Sequence, residues 1–210
     1  MSPITRRGIC LVLSAPSGAG KTAISEALLA SEPRLRRSVS VTTRAPRPRE
    51  VEGTHYHFLT EAAFAQAERE GDLLEWARVL QGTHAYGTPR KPVEAALAAG
   101  DDLIFDIDWQ GYRALRQKLP NDVLGVFILP PDLATLESRL KGRGGDSDAE
   151  IARRMRTARD EMSHADEFDH VVVNEDLSRA VDDVRAALHA ARSATARLTG
   201  LTSFIQGLSG

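Results

Sequence analysis

Apolar residues fall along this chain in short unbroken runs, separated by stretches with helical spacing. The runs are Ile9–Leu13, Leu103–Phe105, Val123–Leu129 and Val171–Val173. Continuous apolar runs of this length read as strands buried on both faces. Between them, apolar positions recur every three or four residues over Thr22–Ala30, Pro92–Ala99, Tyr112–Lys118, Leu133–Leu140 and Leu177–Ala191, which predicts helices. Strands alternating with helices predict an α/β fold with a parallel sheet covered on both sides.

Two segments break the rhythm. From about Ser38 to Thr88 the pattern shortens to Ser40–Thr43, Tyr56–Phe58 and Leu73–Ala77, with one helix near Glu61–Glu70 and the basic run Arg44-Ala45-Pro46-Arg47-Pro48-Arg49. This reads as a small α+β insertion. From about Pro131 to Ser163, Arg139, Arg143, Arg153 and Arg154 surround Gly142-Arg143-Gly144-Gly145, which reads as a helical flap. The tail Thr195–Gly210 mixes apolar residues with glycines and leaves docking or fraying open.

The first run leads into Ser14-Ala15-Pro16-Ser17-Gly18-Ala19-Gly20-Lys21-Thr22 and then into a helical pattern. Strand, small-residue loop and helix in that order make a phosphate-binding P-loop. Gly18 and Gly20 let the backbone N–H groups converge on phosphate oxygens, and the helix N-terminus adds its dipole. Lys21 brings a mobile positive charge, and the Thr22 hydroxyl is placed to ligate Mg²⁺. The motif usually begins with glycine; here that position is Ala15, which fits if its φ is negative. The expected ligand is a nucleoside triphosphate. A second apolar run ends in Asp106-Ile107-Asp108. Alternation puts both carboxylates on one face, where Asp106 can hold water on Mg²⁺ beside the phosphate loop.

Composition narrows the class. The chain has 210 residues, 42% of them hydrophobic and 27% charged, which suits one soluble unit with inserted subdomains. A net charge of -2 offers no global attraction to nucleic acid or to a membrane surface. Because 23 of the 27 basic residues are arginine, an arginine carries meaning only through its position. A lone cysteine, Cys10, sits inside the first strand and reads as a packed thiol in a reducing, cytoplasmic setting. No segment reaches transmembrane length. The six histidines lack metal-site spacing.

Six motifs then follow one another in order: Ala15–Lys21, Ser40-Val41-Thr42-Thr43-Arg44-Ala45-Pro46-Arg47, Glu75-Trp76-Ala77, Tyr86-Gly87-Thr88, Asp106–Gly111 and Arg139-Leu140-Lys141-Gly142-Arg143-Gly144. Together they resemble guanylate kinase of the bacterial type, from about Ile9 to about Ala191. The resemblance implies Mg²⁺-dependent transfer of the ATP γ-phosphoryl group to GMP, with dGMP a further candidate acceptor. It implies a P-loop parallel-sheet core (1–37, 89–130 and 164–210), a GMP-binding insertion (38–88) and a lid (131–163). Ser40, Arg44, Arg47, Tyr56, Glu75, Tyr86, Thr88 and Asp108 match the family's GMP-site positions. Arg139, Arg143 and Arg154 match its lid arginines, and with Lys21 and Arg44 make up the implied catalytic set. Asn174 lies where the adenine side of the ATP site is closed, with Arg143 also on the ATP.

These residue types suit that chemistry. Arg44 and Arg47 can grip a dianionic phosphate, and Tyr56 and Tyr86 can donate to the same oxygens. Glu75 can accept from both N1–H and N2–H of guanine, with Thr88 and Ser40 donating to O6 or N7. Trp76 alternates away from Glu75, so it is expected in the insertion's own packing. Two other readings stay open. One is a related P-loop kinase for a phosphorylated sugar, which would have no use for Glu75. The other is a phosphopeptide-binding module, which need not retain Lys21, Thr22, Asp106 or the lid arginines. The oligomeric state is open, a homodimer included.

Overall fold

The computed structural model describes residues 4–79, 83–142, 145 and 147–208. The chain begins with β1 (Cys10–Ser14), α1 (Lys21–Ser31) and β2 (Leu35–Arg37). It continues through β3 (Ser40–Thr42), β4 (Tyr56–Phe58), α2 (Glu61–Arg69), β5 (Leu73–Val79) and β6 (His84–Pro89). Then come α3 (Arg90–Ala98), β7 (Asp102–Asp106), α4 (Trp109–Lys118) and β8 (Val123–Leu129). The last elements are α5 (Leu133–Gly142), α6 (Asp148–Met162), β9 (His170–Val173), α7 (Leu177–Arg192) and α8 (Leu201–Leu208).

The buried runs of β7, β1 and β8 pair with the edge strands β2 and β9 into one five-stranded sheet, ordered β2-β7-β1-β8-β9 and parallel throughout. Against the expectation from its apolar run, β9 buries only Val172 and leaves Val171 and Val173 exposed at the sheet edge. β1 is central, and its side chains alternate between two cores. Leu11 and Leu13 join Ile24 and Leu28 of α1 and Val181, Val184 and Leu188 of α7 on one face. Cys10 and Val12 join Val93 and Leu97 of α3 and Tyr112 and Leu115 of α4 on the other. The Cys10 thiol is fully buried, and burial pushes its pKa up to about 12, so it is a packed thiol as its strand position predicts.

A second, four-stranded sheet is ordered β4-β3-β6-β5 and mixes parallel and antiparallel pairs. Phe64 of α2 fills its small core with Val41, Leu73 and Ala85. Beyond β8, α5 and α6 pack on each other through Leu136, Leu140, Ile151 and Met155. A capping box between Ser147 and Glu150 starts α6.

Two elements arise only from pairing. β2 carries one buried apolar residue, Leu35, and exists because it runs beside β7. β6 is held between β3 and β5, with a Cβ on Gly87 only 3.0 Å from the Glu75 carbonyl oxygen. The tail docks in its first part: Arg6 and Leu198 form an antiparallel bridge, and Arg197 Nη1 donates to the Gly8 carbonyl at 3.0 Å. α8 follows and buries none of its residues.

Buried ion pairs fasten the ends of these elements together. Asp102, with no exposed surface, accepts from Arg6 Nη1 and Nη2 at 2.7 and 2.8 Å, from Arg192 Nε at 2.8 Å and from the Ile9 N–H at 2.9 Å. Glu32 accepts from Arg185 Nε at 3.0 Å and from Arg192 Nη1 at 2.5 Å, tying α7 to the end of α1. Among the described residues no helix is long and apolar enough to cross a membrane.

Candidate active site

The carboxyl ends of β1 and β7 carry the site. β1 runs into the glycine-rich loop, and Gly20 is the N-cap of α1 with φ 100° and no side-chain cap on the first turn. Those first-turn amides are left for an anion. Gly18 (φ 97°) and Gly20 both occupy the left-handed region and both lack space for a side chain. A Cβ would lie 3.0 Å from Leu136 Cδ1 at Gly18, and 2.2 Å from Asn174 Nδ2 at Gly20. Positive φ among the described non-glycine residues is confined to Arg34 and Arg49, so Ala15 replaces the usual glycine without strain.

Asn174, at the end of β9, braces this loop. Its Nδ2 donates to the Ala19 carbonyl at 2.8 Å, and its backbone N–H donates to the Leu129 carbonyl at 2.8 Å. Its own carbonyl accepts from Arg139 Nη2 at 3.1 Å. Asn174 therefore lies beneath the P-loop backbone, where its contacts are structural. Arg139 Nη1 is buried without a hydrogen-bond partner, which leaves donor capacity at the end of α5.

A cavity of ≈ 300 Å³ opens over the loop, lined by Pro16, Ser17, Lys21 and Thr22 among others, and by Asp106 and Glu161. Lys21 Nζ pairs with Asp106 Oδ1. Ala19 itself is fully buried and reaches the site only through its backbone. Glu161, near the end of α6, is a carboxylate facing the cradle; burial raises its pKa, opposed by the charge of Lys21.

A second cavity of ≈ 250 Å³ lies between the two sheets. Ser40, Tyr56, Glu75 and Tyr86 line it from the four-stranded sheet, and Asp106, Asp108 and Gln110 from the other side. Asp106 thus borders both cavities. β7 ends at Asp106, so Asp108 is not its strand neighbour. It caps α4 instead, accepting the Gly111 N–H at 2.8 Å, yet it still faces the same cavity.

Glu75 sits in this wall with a raised pKa. Burial is the main cause and the charge of Asp108 adds to it, while a hydrogen bond from Thr88 opposes them. Thr88 is fully buried and its Oγ1 donates to Glu75 Oε1 at 2.6 Å. Its one hydroxyl proton therefore goes to Glu75, and in this structure Thr88 orients the carboxylate. Arg44 is buried, its guanidinium 5.5 Å from the Tyr56 ring centre and its Nε donating to Tyr86 Oη at 3.1 Å. Arg47 is exposed, and Arg44, Arg47 and Thr88 are not among the residues lining the cavity.

A family model for guanylate kinase matches residues 7–191. Guanylate kinase of Gluconobacter oxydans is 56% identical over 209 residues, covering 100% of both chains. That of Granulibacter bethesdensis is 57% identical over 203 residues, covering 97% of this chain and 94% of its own. The chain belongs to the guanylate kinase family. The crystal structure of guanylate kinase from Anaplasma phagocytophilum superposes with a TM-score of 0.75 at 31% identity, covering 97% of this chain and 96% of that one.

Within this family member, one expectation changes: Trp76 is 44% exposed and lines the same cavity as Glu75, in place of packing inside the insertion. Arg143 lies outside the described residues. Arg154, half-buried on α6, is not among the residues lining either cavity. Two carboxylates were missed by reading the sequence. Glu50 pairs with Arg44 Nη2 at 2.8 Å, and a carboxylate closing an Arg/Pro run was the available signal. Glu161 lies seven residues from Arg154, hence on the same helix face, a spacing the sequence displays.

Proposed function

We propose that this protein transfers the γ-phosphoryl group of ATP to GMP, giving ADP and GDP, in the cytoplasm. The observation that carries the reading is the meeting of two cavities at Asp106: a phosphate cradle on one side, and on the other a cavity lined by the desolvated Glu75 and by Tyr56 and Tyr86, with the buried Arg44 behind the two tyrosines. The P-loop amides and Lys21 hold the donor phosphates, with the terminal phosphate toward Asp106, which borders both cavities. Glu75 takes the guanine edge, with Ser40 and Asp108 beside it. Arg44, Tyr56 and Tyr86 hold the acceptor phosphate, with Arg47 reaching in from the loop. Held on both sides, the acceptor oxygen attacks the γ-phosphorus as the bond to the ADP oxygen breaks, and positioning with charge stabilisation supplies the rate.

Residues 38–88 would act as the acceptor unit and 131–163 as a lid, with Arg139, Arg143 and Arg154 brought over the transferring group on closure. The Thr22 hydroxyl and the Asp106 carboxylate line the same cradle and are oxygen donors of the kind Mg²⁺ prefers, Thr22 directly and Asp106 through water. Bound there, Mg²⁺ would neutralise phosphate charge. A coupled ADP-release assay with GMP, dGMP, AMP, CMP, UMP and a sugar phosphate as acceptors tests the reading. GMP should exceed AMP by about 10⁴-fold in kcat/KM. Turnover with the sugar phosphate but not with GMP would reject it.

A further inference from the structure

Arg44 is the one buried arginine among the described residues, and most of its hydrogen-bonding capacity is already committed. Of five guanidinium N–H groups, Nε donates to Tyr86 Oη at 3.1 Å and Nη1 donates to the Ala45 carbonyl at 2.8 Å and to Glu50 Oε2 at 3.0 Å. Nη2 donates to Glu50 Oε1 at 2.8 Å. A single N–H, on Nη2, remains for a ligand. Glu50 does a second thing: its Oε2 accepts the backbone N–H of Arg47 at 2.7 Å. One carboxylate thus joins both arginines of the Arg/Pro run, across a turn in which Arg49 takes φ 79°. The Arg44 guanidinium, and then the Arg47 N–H, hold the Glu50 carboxyl at about 2, so it stays ionised through the neutral range.

An arginine held on four sides cannot swing to follow a phosphate. It keeps one donor, on a guanidinium already bonded to the Tyr86 hydroxyl and set against the Tyr56 ring, and its charge is largely offset by its partner. We propose that Glu50 is a positioning residue for the acceptor-phosphate grip: it locks Arg44 and shapes the Arg44–Glu50 turn, so that Arg47 supplies the uncompensated charge. This rests on the reading of the second cavity as the GMP site. The opposing idea is that Glu50 is a stand-in anion which the phosphate displaces. The two ideas predict opposite signs. Removing a positioning residue weakens phosphate binding, whereas removing a competitor tightens it.

The experiment is calorimetric titration of the full chain with GMP, guanosine and ATP, for the wild type, Glu50→Gln and Glu50→Asp. Guanosine has the base without the phosphate, so it separates the grip from general damage. The expected result for Glu50→Gln is a loss of GMP affinity on the order of 10- to 100-fold, with guanosine and ATP affinities unchanged. Glu50→Asp keeps the charge on a shorter arm and should lose less; it is also the variant to read if Glu50→Gln does not fold. Tighter GMP binding would identify a displaced stand-in and overturn the proposal. Equal losses for GMP and guanosine, or no loss at all, would overturn it too. A wild-type protein that bound GMP no better than guanosine would instead reject the acceptor-site reading itself.

Discussion

Replacing Glu75 with glutamine keeps the shape of the acceptor cavity and removes its base-reading charge. Thr88 Oγ1 occupies one lone pair of Oε1, which leaves Oε2 and the second lone pair of Oε1 to face the cavity. Guanine offers N1–H and N2–H on one edge, and each hydrogen bond to a charged acceptor is worth about 1.5–3 kcal/mol. Two together give about 3–6 kcal/mol, or roughly two to four orders of magnitude in affinity. Glutamine can accept one of the donors but sets its own NH₂ against the other. The kcat/KM for GMP should therefore fall by about 10²- to 10⁴-fold with KM for ATP unchanged, measured by ADP release with GMP varied. A fall below about tenfold, equivalent to about 1.4 kcal/mol, would refute guanine readout at this residue.

The same carboxylate sets a pH dependence whose sign can be worked out. Burial raises the Glu75 pKa in the empty site, whereas the guanine donors favour the ionised form. GMP binding then releases a proton as pH falls toward the raised pKa, so KM for GMP rises with falling pH. The phosphate of GMP titrates near a pKa of about 6, and Glu75→Gln carries that titration without the residue's own, so the difference between the two profiles isolates Glu75. Stability moves the other way. With its folded pKa above the unfolded value, Glu75 contributes most below the unfolded pKa, and that contribution is lost as pH rises through the folded one. At neutral pH Glu75→Gln should therefore raise Tm, and a lowered Tm would contradict the assignment of its pKa shift to burial.

Two further outcomes are expected. Asn174→Ala removes the hydrogen bond to the Ala19 carbonyl and should cost about 1–3 kcal/mol in urea unfolding, with ATP affinity falling more than GMP affinity; equal losses would separate Asn174 from the P-loop. Asp102→Ala strips Arg6 and Arg192 of a fully buried partner and should cost about 3–5 kcal/mol in unfolding, while kcat per folded molecule is retained, since Asp102 lines neither cavity.

What the sequence determines here is whatever its neighbours along the chain can enforce. The P-loop needs a buried strand, two residues tolerant of positive φ and a helix start, all within about one motif, and these follow from Leu11 to Thr22 read in order. The central strands are equally legible, because burial on both faces demands unbroken apolar runs. Tertiary structure decided the rest. β2 and β6 have no apolar pattern of their own and become strands because a neighbouring strand offers hydrogen bonds. Trp76 lines the cavity between the insertion and α4 and does not pack within the insertion's own core. Asn174 braces Ala19 across 155 residues, and Arg192 reaches Asp102 across 90. Such contacts depend on where separate elements come to rest on one another, and residue type and spacing along the chain carry no record of that distance.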